Sequence, residues 1–282
     1  MVLTSLMTEK ETINCSRLMR QMIGQQIRIN LLGTLEVSYA HGMAADERYL
    51  DITASKLRQV LAMLAVNASS MVSAEQLIDE LWPCGPPSTV KTIVQTYIYQ
   101  LRKLFSERFG CSRGAELLIT RPGGYVFAVP RDNIDTFRFQ HLTESGRNAL
   151  SRGQATRAAD LLRESLALWR GPMSSDIASG PSLHGVSLYL EEQRLEALSL
   201  RIEADLVTNR HQEIVGELRL LVTTHRLHEP FHTQLMRALH LSGRRGGALA
   251  AYRQLRHVLD DELGLEPSAE AQEIQHEILV SR

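Results

Sequence analysis

Cysteine is scarce and poorly placed for a structural role. The three in the chain, Cys15, Cys84 and Cys111, are odd in number, widely spaced and form no C-x-x-C pair. That excludes a disulfide framework and a cysteine zinc site, and points to reduced thiols in the cytosol. Long apolar runs are missing too: nothing approaches the roughly 18 residues that a spanning helix needs. The first 26 residues carry Lys10, Arg17 and Arg20 with no clean apolar core and no small-residue cleavage site, so neither export nor a membrane partner is expected. Catalytic signatures are also absent: G-x-x-x-x-G-K-[ST], G-x-S-x-G and H-E-x-x-H do not occur. His225, His228 and His232 stand at i, i+3 and i+7, but Pro230 interrupts the face they would share and no second ligand cluster accompanies them. The expectation is a cytoplasmic protein that is not an enzyme and holds no metal or other cofactor.

What is present is ordinary in bulk and uneven in detail. A chain of 282 residues is about twice a typical domain, so two domains are the default. A hydrophobic share of 44% with 22% charged residues is globular. The net charge of -1 conceals an asymmetry. Residues 88–131 hold seven Lys and Arg against two Glu, a net +5, whereas residues 132–282 hold 17 basic residues against 21 acidic ones, a net -4. A short basic block is a candidate phosphate-binding footprint and an acidic remainder suits protein partners, although charge alone favours a solvated helix face.

Position decides between those readings. Residues 27–37 are β-branched and apolar and read as a strand opening a short sheet that runs to about residue 53. Leu57, Val60, Leu61, Leu64 and Ala65 then recur at helical spacing behind Ser55, the expected N-cap. Ser73 with Gln76 is a capping-box signature ahead of Leu77, Ile78, Leu81 and Trp82, and Pro83 ends that second helix. The third helix, from about Ser88 to Phe105, gathers Val90, Val94, Tyr97, Ile98, Leu101, Leu104 and Phe105 on one side and Thr92, Thr96, Tyr99 and Lys103 opposite. Gln95 and Arg102 border the polar side at one edge and Gln100 at the other. Hydroxyl and amide groups for base edges beside cations for phosphates are what a major groove asks for. Two β-rich runs around Arg121-Pro122-Gly123-Gly124 follow, a hairpin with an arginine near its tip. Strand, helix, helix, polar basic helix and hairpin is the order of a winged helix-turn-helix.

The words Lys56-Leu-Arg58, Val72–Trp82, Val94–Leu104 and Gly124-Tyr125 carry a likeness to a known family. Residues 27–131 resemble the OmpR-type winged-helix domain that opens the Streptomyces antibiotic regulatory proteins. The resemblance implies that Thr96, Tyr99 and Gln100, with Thr92 on the same face, read bases. It also implies that Tyr97 and Arg102 lie near phosphates and that Arg121 sits in the wing. Lys103 is expected to neutralise phosphate as well, and Lys56, Arg58 and Lys91 are further candidate phosphate or groove contacts. Tyr99-Gln100 departs from the small and basic residues that relatives often carry there, which bears on the base sequence read and not on the docking mode.

From Asp135 onward helical stripes dominate, among them Ala158–Trp169, Leu188–Leu206, Phe231–Leu239 and Ala248–Leu259. The inter-helix positions Asn209 and Gly243 lie 34 residues apart, the tetratricopeptide period. Gly153–Leu162, Leu168–Pro172 and Asp261–Ser268 are similar to the bacterial transcriptional activator domain of the same family. The expected fold is therefore mainly α with a small β component. Residues 1–26 form an extension expected to be disordered, residues 27–131 a winged helix, and residues 132–282 an all-α, tetratricopeptide-like repeat domain. The resemblance implies an activator of a secondary-metabolite gene cluster. Its partners would be double-stranded promoter DNA with short direct repeats, a second protomer on the adjacent repeat, and the RNA polymerase holoenzyme through its sigma-factor region. A helical-repeat adaptor or a ligand-gated regulator of weak DNA specificity is the competing reading. A fragment ending near Asp132 is expected to recognise the operator, though more weakly, and to fail to activate. No receiver domain or nucleotide-binding module is expected within these residues.

Overall fold

The computed structural model describes residues 27–41, 46–109 and 116–281. They form two compact units, one of residues up to His141 with Ala167–Gln193, the other of Leu142–Leu166 with Arg194–Arg282. The expectation for residues 1–26 falls outside the described residues, as do Cys15 and Cys111.

The first unit opens on an antiparallel sheet of β1 (Ile27–Asn30), β2 (Glu36–His41) and β3 (Asp46–Tyr49), with β2 central and Ile29 opposite Val37. Alternation along the strands sends Ile27, Ile29, Val37 and Tyr39 into the core. Helix α1 (Ser55–Val66) follows, buried through Leu57, Val60, Leu61 and Leu64. Its N-cap is Ala54, without a side-chain hydrogen bond; Ser55 has already entered the helix, so the expected serine cap does not form. Strand β4 (Met71–Ser73) leads into α2 (Ala74–Leu81), where Ser73 accepts from the Gln76 amide and Gln76 answers the Ser73 amide, the predicted capping box. Helix α3 (Val90–Phe109) runs four residues beyond its expected end. The hairpin of β5 (Leu118–Arg121) and β6 (Gly124–Phe127) closes a second sheet in the order β4-β6-β5. Gly124 is required there: a Cβ at that position would lie 2.3 Å from the Val72 carbonyl oxygen.

The turn between β1 and β2 is buried, and its polar backbone is satisfied from far along the chain. The Leu31 and Leu32 amides donate to the Asp135 carboxylate at 2.8 Å. The Leu31 and Leu32 carbonyls accept from the Ser174 and Arg170 amides at 2.8 Å, and the Leu35 amide donates to Asp176 at 3.0 Å. Buried backbone groups need partners, so Ala167–Gln193 is built into this unit and is no detachable covering.

The second unit is helical. It draws on α4 (Asp135–Ser151), α5 (Ala155–Ala167) and α6 (Pro181–Val207), and contains α7 (His211–Thr224), α8 (Glu229–Leu241), α9 (Arg245–Leu263) and α10 (Ala269–Val280). Helix α8 lies at the centre of the core, packed on α7, α9 and α10 through Phe231, Leu235, Met236 and Leu239. Residues about one 34-residue interval apart meet between α6 and α8. Arg237 pairs with Glu203 at 2.8 Å, and the Gln234 amide donates to the Ser199 carbonyl at 2.9 Å. Asn209 and Gly243 both take left-handed backbone angles, φ 60° and 73°.

Candidate nucleic-acid interface

The interface is assembled on α2, α3 and the hairpin. Leu77 and Leu81 of α2 and Val94, Ile98, Leu101 and Phe105 of α3 are buried, and Phe105 stacks on Phe127 of β6 with ring centres 5.9 Å apart. Burying that stripe leaves the opposite side of α3 in solvent. Lys91, Thr92, Gln95, Thr96, Tyr99, Gln100 and Lys103 are all exposed, with Tyr99 at 65%. Thr96 donates back to the Thr92 carbonyl at 2.9 Å, a bond that orients its hydroxyl along the helix. Tyr97 is half-buried at the margin.

A guanidinium adds to the stacking of Phe105 on Phe127 in tying the wing to this helix. Arg102 donates through Nε and Nη2 to the Leu118 carbonyl at 2.9 and 2.7 Å, and through Nη2 to the Thr120 hydroxyl at 2.7 Å. Arg121 stands exposed at the end of β5. An open cleft of about 490 Å³ lies between α3 and the hairpin, lined by Lys91, Gln95, Thr120, Arg121 and Glu75 among others. Gln95, which periodicity sets at the border of the polar face, is exposed and lines the cleft beside Lys91.

Three of the expected phosphate contacts are directed inward. Arg58 donates to the Ile52 carbonyl at 3.1 Å and the Leu35 carbonyl at 2.9 Å, and pairs with Asp176. The Lys56 ammonium caps the Leu81 carbonyl, reaches Gln59 at 3.3 Å and lies 5.7 Å from the centre of the Trp82 ring. Arg102 spends its donors on the hairpin. The structure brings Lys91, Thr92, Thr96, Tyr99, Gln100 and Lys103 together on one exposed face with Arg121 nearby, and sets Lys56, Arg58 and Arg102 to bracing the fold beneath it.

The histidines near α8 do not converge on a centre: His225 ends α7, His228 precedes α8, and His232 is buried with its Nε2 on the Arg226 carbonyl at 2.9 Å. Burial holds the His228 and His232 rings below the usual imidazole range. Among the described residues no group of three His, Cys, Asp or Glu is arranged to hold a metal ion, and no helix is long and apolar enough to cross a membrane.

A three-helix unit with a polar third helix beside a hairpin, followed by a helical-repeat unit, defines a winged-helix transcriptional regulator. Residues 41–127 match the model described as Transcriptional regulatory protein, C terminal, and residues 134–279 match the Bacterial transcriptional activator domain. The chain is 39% identical to the Regulatory protein DnrI of Streptomyces peucetius, over 90% of its own length and 92% of the relative's. It is 36% identical to the Transcriptional regulator RedD of Streptomyces coelicolor, over 91% of its own length and 71% of the relative's. The solved structure of Mycobacterium tuberculosis EmbR in complex with a low affinity phosphopeptide superimposes with a TM-score of 0.83 at 30% identity; the match covers 90% of this chain and 65% of that one. This chain belongs to the Streptomyces antibiotic regulatory protein family.

Proposed function

We propose that this protein is a sequence-specific transcriptional activator of a secondary-metabolite gene cluster, working in the cytoplasm on direct repeats beside a promoter. Two protomers occupy adjacent repeats, and the bound pair recruits the RNA polymerase holoenzyme through its sigma-factor region. DNA contact is assigned to residues 27–131 and activation to residues 132–282. Thr92, Thr96, Tyr99 and Gln100 meet base edges, with Gln95 beside them. Lys91, Tyr97 and Lys103 meet phosphates, and Arg121 reaches the neighbouring minor groove, whose negative potential attracts a guanidinium.

The observation that carries this reading is the unbroken exposed row on α3, flanked by cations and by the wing, over a fully apolar buried side. The test is selection of duplexes from a random-sequence pool by the full-length protein, followed by titration of the winning sequence and a scrambled control at several salt concentrations. A recurring repeat bound at least ~1000-fold more tightly than the control supports specific recognition. No enriched sequence, or equal affinity for both duplexes, overturns it.

A further inference from the structure

Glu80 is an unexpected residue to find in a core. It lies on α2 three residues after Leu77, it is 1% exposed, and it faces the amino end of α6. Its Oε1 accepts from the Gly180 amide at 2.6 Å, and its Oε2 accepts from the Ser182 and Leu183 amides at 2.8 and 3.2 Å. A carboxylate from one helix thus caps the first turn of another that is a hundred residues away, where unpaired amides and the helix dipole favour negative charge. The Glu80 carbonyl is engaged as well, accepting from the Gln59 amide of α1 at 2.8 Å. Gly180 admits the approach because it has no side chain: a Cβ there would lie 2.2 Å from the Glu80 carbonyl oxygen. Arg58 of α1, paired with Asp176, fastens the same segment a few residues earlier.

We propose that Glu80 is a positioning residue for operator recognition: by capping α6 it anchors Ala167–Gln193 against α1 and α2 and so fixes the pose in which α2 presents α3 to DNA. The inference rests on the reading of α3 as the DNA-contacting helix. Helices α2 and α3 share one buried stripe, so a shift of α2 re-aims the exposed row on α3. Base contacts tolerate such a shift poorly because hydrogen bonds weaken steeply off axis. Phosphate contacts by long, mobile cations tolerate it well. Loss of the cap therefore lowers specific affinity and leaves non-specific affinity intact, a pattern that simple loss of folded protein does not produce.

The experiment uses the full-length chain with Glu80→Gln, which keeps the size of the side chain but turns an amide towards the Ser182 and Leu183 N–H groups. Gly180→Ala is the second variant, prising the same contact apart sterically with no change in charge. Each is titrated, well below its melting temperature, on the duplex selected by the parent and on the scrambled control, and hydrogen exchange is followed at residues 180–183 and 90–109. In both variants, faster exchange at 180–183 with about tenfold weaker binding to the selected duplex, and less than a twofold change on the control, is the expected result. Faster exchange at 180–183 with selected-duplex affinity within twofold of the parent overturns the proposal, as does an equal fall on both duplexes. Unaltered exchange at 180–183 in both variants overturns it too, because Glu80 would then not be what holds the segment. A parent that selects no duplex at all contradicts the reading of α3 instead.

Discussion

At the scale of single residues, the side chains on the exposed row of α3 and those bracing it from beneath each move a different readout. Gln100→Ala removes an amide assigned to a base edge and should relax preference at one operator position by about 1–3 kcal/mol, read by titrating duplexes mutated one position at a time. An equal loss on every duplex contradicts that role. Neighbouring cations should now behave differently from each other. Lys103→Ala should flatten the dependence of log affinity on log salt by about one unit. Arg102→Ala should leave that slope unchanged and instead speed hydrogen exchange at residues 118–121, because its donors hold the hairpin. A flattened slope for Arg102→Ala would return it to the phosphate set. The exposed row on α3 was legible because helical periodicity alone separates a buried stripe from a solvent face. The roles of the cations were not legible, since a cation's partner is a matter of tertiary structure: Arg58 finds Asp176 at a separation of 118 residues. Asp135 supplies a pH signature. Burial, outweighing the Leu32 and Leu31 amides and the charge of Arg170, raises its carboxyl from 3.8 to about 6. The folded state therefore binds this proton more tightly than the unfolded state, so the contribution is complete below pH 3.8 and is lost as pH rises through about 6. Asp135→Asn should reduce the change in unfolding free energy between pH 4 and pH 7 by about 2 kcal/mol in urea titrations. Identical pH profiles for parent and variant would contradict it.

At the scale of elements, most of what the sequence foretold rests on local chemistry. Ser73 and Gln76 form their box within four residues, and Pro83 lies just past the end of α2. Helix α1 is the instructive exception, for a serine one residue too late to cap is indistinguishable in sequence from one that does. Glu80 left a faint sign, a charge three residues after Leu77 on an apolar side, whose meaning needed α6. The helical repeats carry a second buried charge with the same lesson. Asp205, 2% exposed, receives Arg163, Arg201 at 3.2 Å and Arg210 at 3.7 Å, joining α5 and α6 to the start of α7. Asp205→Ala leaves the buried Arg201 with Glu217 as its remaining carboxylate and should cost about 3 kcal/mol of stability, the low end for breaking a buried pair, measured by chemical denaturation. A cost below about 1 kcal/mol would mean that water reaches the site in the folded state.

At the scale of the whole molecule, the two-part organisation was readable from the change of pattern near Asp135, whereas the membership of Ala167–Gln193 in the first unit was not. Chain order suggests a cut near Asp132, yet such a fragment lacks Asp135, Arg170, Ser174 and Asp176, leaving the buried turn at Leu31–Leu35 short of partners. Its operator binding should suffer through loss of folded structure, so binding and activation are better separated by point substitutions than by truncation. Activation itself is tested most directly by run-off transcription with purified RNA polymerase holoenzyme on two templates, one bearing the selected repeats upstream of the promoter and one with those repeats scrambled. Transcript yield should rise with the concentration of full-length protein on the intact template alone. Equal yield from both templates, or no rise on the intact one at saturating occupancy, would contradict a sequence-specific activator.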